Sequence, residues 1–217
     1  MKRIGVLLSG CGVYDGSEIH EAVLTMLAIE KNGAKYVCLA PDMEQYHVIN
    51  HLSGEATDEK RNVLVEAARI ARGEISDIKN VHHGDLDALI IPGGFGAAKN
   101  LSDFAFKGKD SEIHPEVGRL ITEMADMKKP IGAVCISPVV VARALGERNP
   151  ELSIGNDLGT ADAIEAMGGN HHVCAVNTIH VDEQNRLVST PAYMLGPRLS
   201  DVAVGIENLV EKIVQMA

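Results

Sequence analysis

The chain has 217 residues, 46% hydrophobic and 23% charged, enough for one large α/β domain with a sizeable core. Thirty acidic residues against 20 basic ones give a formal charge of −10, with no tryptophan. That excess argues against nucleic acid or an anionic membrane as the main partner. The four cysteines (Cys11, Cys38, Cys135, Cys174) are widely spaced with no C-x-x-C pair, which points to reduced thiols in a cytoplasmic compartment and to neither a disulfide framework nor a metal site.

Ile4 to Leu8 is a continuous apolar run bounded by glycine and reads as a central parallel strand. Leu8-Ser9-Gly10-Cys11 imitates a lipid-attachment box, but the apolar run before it is too short for a signal sequence, which needs ~7–15 such residues. The glycine-rich loop Ser9 to Gly16 follows the strand and matches no phosphate-binding pattern. Asp15 with Glu18 suggests a capping box, with Ser17 as a competing cap, for a helix running to about Asn32. Ile19, Val23, Met26 and Leu27 share one face of that helix, and Glu21, Leu24, Thr25 and Ala28 another, so it is expected to lie buried between layers. Glu21 then either complements the helix N-terminus or is a buried carboxyl that must be paired or protonated.

Ala34 to Ala40 is the second strand. The segment from Asp42 to Asp87 shows one clear helix, Lys60 to Arg72, and reads otherwise as loop, including the solvated pair His82-His83. Ala88 to Ile91 is a third strand, stopped by Pro92-Gly93-Gly94, where glycines let backbone N–H groups approach a ligand. His114 to Lys128 is a helix. Ile131 to Val134 is a buried strand ending at Cys135, followed by a tight turn and a helix to Leu145, with Pro138 suited to its first position. Ala161 to Met167 is a short helix, and Asn170 to Val176 a strand. Ile179 to Val181 and Leu187 to Thr190 form a hairpin, and Pro197 opens the last helix.

No repeat or linker interrupts this order, so residues 1–217 form a single domain, a mostly parallel sheet with helices on both faces and a late β-hairpin at one edge. No segment approaches the ~20 apolar residues of a membrane span. Ligands gather at the carboxyl ends of such strands, where the Ser9 to Gly16 loop, Gly93-Gly94 and Cys135 all fall. The free N–H groups of the helix after Cys135 favour negative charge, so the thiol is expected to titrate below its usual ~8.5, near about 5.5. The alternative is a small buried apolar residue.

Three stretches, Ser9 to Glu21, Pro92 to Leu101 and Pro191-Ala192-Tyr193-Met194, resemble the PfpI/ThiJ superfamily with its class I glutamine amidotransferase-like fold, a flavodoxin-like doubly wound sheet. The resemblance implies that Cys135 is the reactive cysteine and Glu21 the acid that hydrogen-bonds its sulfur. It implies that Gly94 and Ile136 lend backbone N–H groups to an oxyanion. It further implies a cofactor-free glyoxalase acting on a small aldehyde, with a link to isoprenoid synthesis, and a homodimer. Many relatives carry a histidine downstream of the cysteine. Here Leu152 to Asp157 contains none, and His171 and His172 lie further on. A redox sensor or regulatory binding protein built on the same cysteine is the alternative function. A glutamine-hydrolysing amidotransferase subunit, which needs the histidine, is a weaker one.

Overall fold

The computed structural model describes residues 1–196 and 198–217; Pro197, expected to open the last helix, lies outside the described residues. In chain order the strands are β1 (Arg3–Leu7), β2 (Lys35–Ala40), β3 (Ile75–Asp77), β4 (Ala88–Ile91), β5 (Ile131–Val134), β6 (Glu151–Leu152), β7 (Asn170–His171), β8 (His180–Asp182) and β9 (Leu187–Thr190). The helices are α1 (Ile19–Lys31), α2 (Val63–Ile70), α3 (Phe95–Lys99), α4 (Phe104–Lys107), α5 (Pro115–Asp126), α6 (Pro138–Leu145), α7 (Leu158–Ala166) and α8 (Leu199–Met216).

The main sheet runs β3-β2-β1-β4-β5-β9-β8. All its pairs are parallel except β8 with β9, the expected hairpin at the edge. Alternation along the strands splits the apolar side chains into two cores. Leu7, Leu89, Ile91 and Ile131 pack on one face with α5 and α6, while Val6, Ile90, Val134 and Val188 pack on the other with α1 and α8. A parallel sheet covered on both faces follows from central strands, β4 and β5, that are apolar and buried at every position. Chain order reverses between β1 and β4, so the crevice at their carboxyl ends is the natural ligand site.

Several local expectations change. Asn170 to Val176 does not join the main sheet: Asn170–His171 pairs in parallel with Glu151–Leu152 as a separate two-stranded ribbon. The helix α1 is capped by Glu18, whose carboxylate accepts from the Glu21 N–H at 2.7 Å. Ser17 and Asp15 are drawn away, Ser17 by the Ser9 N–H and Asp15 by the Ile49 N–H. The buried side of α1 is Glu21, Ala22, Thr25, Met26, Ala28 and Ile29, whereas Ile19, Val23 and Leu27 are exposed. The segment from Asp42 to Asp87 supplies α2 and the edge strand β3, and its first part folds over the glycine-rich loop through Tyr46 N–H to Asn100 and Ile49 N–H to Asp15.

Candidate active site

Cys135 sits one residue beyond β5 with φ at +61°. A side chain in this left-handed region costs on the order of 1–3 kcal/mol and persists only where its surroundings impose it. Ser137 does much of the imposing. Its buried hydroxyl donates to the Ile91 carbonyl at 2.7 Å and accepts from the Val134 N–H at 2.8 Å. The Cys135 N–H donates to the Thr190 carbonyl, and Pro138 starts α6 immediately after. The sharp strand-to-helix turn expected from the sequence is therefore present.

Glu21 reaches the same point from α1. Its side chain is wholly buried, 0% exposed. One carboxylate oxygen accepts from the Gly93 N–H at 2.9 Å, the other from the Tyr193 N–H at 3.3 Å, and the Cys135 thiol lies beside the same carboxyl group, across Gly93. Burial, and after it the negative charge of Glu18, push Glu21 up from 4.5 to about 8; the Tyr193 N–H, the Cys135 thiol and the Gly93 N–H pull the other way. Of the two readings open for Glu21, the buried, protonated carboxyl holds.

The thiol does not follow the expectation of a lowered pKa. Burial raises Cys135 well above the usual thiol value, and the Glu21 charge raises it again. The Gly94 and Ile136 N–H groups pull it down without prevailing. The magnitudes explain the outcome: a helix N-terminus favours an anion by ~0.3–1 kcal/mol, while burying an anion costs several kcal/mol. The pair therefore holds its protons near neutrality. All four sequence-derived residues, Cys135, Glu21, Gly94 and Ile136, meet here.

Two glycines make the approach possible. A Cβ on Gly93 would lie 2.4 Å from Cys135 Cβ and 2.7 Å from Glu21 Oε2. Gly94 has φ +92°, and a Cβ there would lie 2.4 Å from both the Glu18 nitrogen and the Gly16 carbonyl oxygen.

Cys135, 8% exposed, opens onto a cavity of about 420 Å³. Its walls are mostly apolar, with Phe95, Phe104 and Met194, and its polar edge is formed by Glu18, Tyr193 and Asp157. A larger hollow of about 700 Å³ opens at the opposite ends of β1 and β2, beside Arg3, Lys35 and Glu74. Its cysteine, Cys38, is held at about 11 by burial. Only the smaller of these two cavities sets a buried carboxyl group beside its cysteine, and the site is placed there. The sequence reading gave Glu18 only a part in capping the first helix and assigned no role to Tyr193 or His20. Tyr193 Oη lies 2.8 Å from His20 Nδ1, and His20 lies 3.9 Å from a Glu18 oxygen. Glu18 and His20, three and one residues before Glu21, sit in the stretch that carries the resemblance, as does Tyr193 in its own. His171 and His172 are engaged elsewhere: His171 accepts from the Ile154 N–H, and His172 stands against Glu151.

The family model described as DJ-1/PfpI family matches residues 11–149. The mitochondrial glutamine amidotransferase-like class 1 domain-containing protein 3 of Homo sapiens is 45% identical over 99% of this chain and 83% of its own length. The mitochondrial ES1 protein homolog of Rattus norvegicus is 44% identical over 99% of this chain and 84% of its own length. Among solved structures, an isoprenoid biosynthesis protein with an amidotransferase-like domain from Ehrlichia chaffeensis superposes with a TM-score of 0.93 at 40% identity, covering 100% of this chain and 99% of that one. These comparisons correct the cytoplasmic expectation, since both curated relatives are named as mitochondrial proteins. The four cysteines are all free, and free thiols report reducing conditions without specifying the compartment.

Proposed function

We propose that this chain, which belongs to the DJ-1/PfpI family, is a cofactor-independent glyoxalase that converts glyoxal to glycolate with Cys135 as nucleophile and Glu21 as acid and base. The observation that carries the reading is a wholly buried carboxyl group brought up to a thiol across Gly93, at a strained strand-to-helix turn. Within the family the sequence resembles the bacterial ElbB glyoxalases. A link to isoprenoid biosynthesis, the process named for the Ehrlichia chaffeensis protein, belongs to the same proposal.

In the proposed cycle, the fraction of Glu21 that is ionised near neutrality takes the thiol proton as sulfur adds to one aldehyde carbon. The resulting oxyanion is held by the Gly94 and Ile136 N–H groups and then takes that proton, giving a neutral hemithioacetal and a free Glu21 carboxylate. Glu21 next removes the hydrogen on the sulfur-bearing carbon as a proton, the electron pair forms the carbon–carbon double bond of an enediolate, and the hydroxyl proton of the sulfur-bearing carbon passes to the neighbouring oxygen. Returning the proton to the neighbouring carbon leaves a thioester of glycolic acid, and water releases glycolate and the thiol. One water is consumed and one proton released, and the oxidation of one carbon is balanced by reduction of the other. A carboxyl that titrates at about 8 is matched to moving protons near neutrality.

A redox-sensing role for Cys135 is less well supported, because rapid oxidation needs a thiolate and this thiol is raised. Glutamine hydrolysis is less supported again, because no histidine is among the groups that act on the Cys135 thiol. The exposed apolar stripe of Ile19, Val23 and Leu27 supports a homodimer. The deciding experiment follows glycolate formation from glyoxal. The wild type is expected to turn over and Cys135→Ser and Glu21→Gln to be inactive; full turnover by either variant rejects the mechanism.

A further inference from the structure

Glu151, His172 and His180 belong to three separate pieces of chain, and none lines the Cys135 cavity. Glu151 is in β6, His172 directly follows β7, and His180 opens β8. Fold topology brings them together. Glu151 Oε2 lies 3.0 Å from His180 Nε2 and 3.6 Å from His172 Nε2, and one ligating atom from each residue falls within 4.8 Å of the others. The two imidazoles stack with centroids 4.0 Å apart and planes 9° from parallel. We propose that Glu151, His172 and His180 form a binding site for a divalent transition-metal ion of the zinc type, which ties the β6–β7 ribbon to the edge strand β8.

The donor spacing suits such an ion, and because the stacked rings lie 9° from parallel, one imidazole must turn about its side-chain bonds before both Nε2 lone pairs meet at the ion. Zinc binds imidazole nitrogen and carboxylate oxygen at ~2.0–2.2 Å, so tetrahedral ligands stand about 3.4 Å apart, close to the two separations observed. Two imidazoles and one carboxylate favour zinc, nickel or copper over calcium or magnesium, which prefer oxygen. Three protein donors also leave a coordination position for water. Without an ion, both Nε2 atoms face a single carboxylate oxygen.

The backbone under the site is already ordered. The Glu151 N–H donates to Asp182 Oδ2 at 2.9 Å, and Asp182, itself buried, is held by two further bonds from Asn185. The His172 N–H donates to the Leu152 carbonyl at 2.8 Å, and His180 pairs with Ser189 across the β8–β9 ladder. A frame fixed in advance lowers the ordering cost of binding. Side-chain exposures of 45% for Glu151, 44% for His172 and 19% for His180 leave a path from solvent.

The test titrates untagged, chelator-treated full-length chain with Zn²⁺ by calorimetry and with Co²⁺ by visible absorption. One equivalent per chain is expected, with a Zn²⁺-dependent rise in Tm. His172→Ala and His180→Ala should each weaken binding by at least the ~10-fold that loss of even an outer-shell partner costs, and Glu151→Gln should do the same with minimal change in shape. Absence of saturable binding overturns the proposal. So does unchanged binding by the His172→Ala/His180→Ala double variant, or binding that survives in that variant and disappears only when Cys135 and Cys174 are replaced by serine.

Discussion

Replacing Glu21 by glutamine removes a titrating group from the core while keeping its shape. In the folded chain Glu21 titrates at about 8 instead of 4.5, chiefly because it is buried. Between those values the folded chain retains a proton that the unfolded chain has released. The group's stabilising contribution is therefore complete below its unfolded pKa and is lost as pH rises through its folded one. The loss is ~1.4 kcal/mol per pH unit inside the window, which amounts to about 3 kcal/mol between roughly pH 5 and 7.5. Glutamine has no such dependence. It carries its own constant cost, because its amide cannot accept from both the Gly93 and Tyr193 N–H groups. The variant should thus gain on the wild type steadily as pH rises, whatever its stability at pH 5. Urea unfolding of both proteins at a series of pH values reads the difference directly. A difference that stays flat across the window would mean that Glu21 is not a buried carboxyl with a raised pKa, and the proton-transfer role would fall with it.

Gly93→Ala places a Cβ between Cys135 and Glu21; we expect glyoxal turnover to fall by the ~10²-fold or more that general acid–base help is worth, and a structure of the variant should show the two side chains forced apart. Ser137→Ala deletes a buried hydroxyl and strands the Ile91 carbonyl and the Val134 N–H, so chemical denaturation should register a loss of ~1–3 kcal/mol. Glu18→Gln removes the charge that helps to raise Glu21, and the rising limb of the pH–rate profile should move to lower pH; a limb that moves upward or stays in place contradicts that coupling.

The resemblance motifs placed Cys135, Glu21, Gly94 and Ile136, and they do converge, because each lies at the carboxyl end of a strand or the start of a helix whose apolar pattern was unambiguous. Ile19, Val23 and Leu27 misled, since an apolar stripe shows that a face is apolar without saying that anything in the same chain covers it. Asp15 misled for a different reason: three side chains near the start of α1 could cap it, and contacts with Ile49 and Ser9, distant in sequence, chose Glu18. The short strands β3, β6 and β7 span only two or three residues, too few for periodicity to appear.

By itself the sequence determined the parallel sheet, its two apolar faces and the turn that lifts Cys135 out of β5, because strand length, alternation and a proline at the helix start are local properties. Only the tertiary structure decided the protonation of the site and the meeting of Glu151, His172 and His180. Both depend on what surrounds a group in three dimensions: burial of the thiol, and after it the Glu21 charge, outweighs the helix N-terminus in one case, and three segments distant in sequence close on a common point in the other.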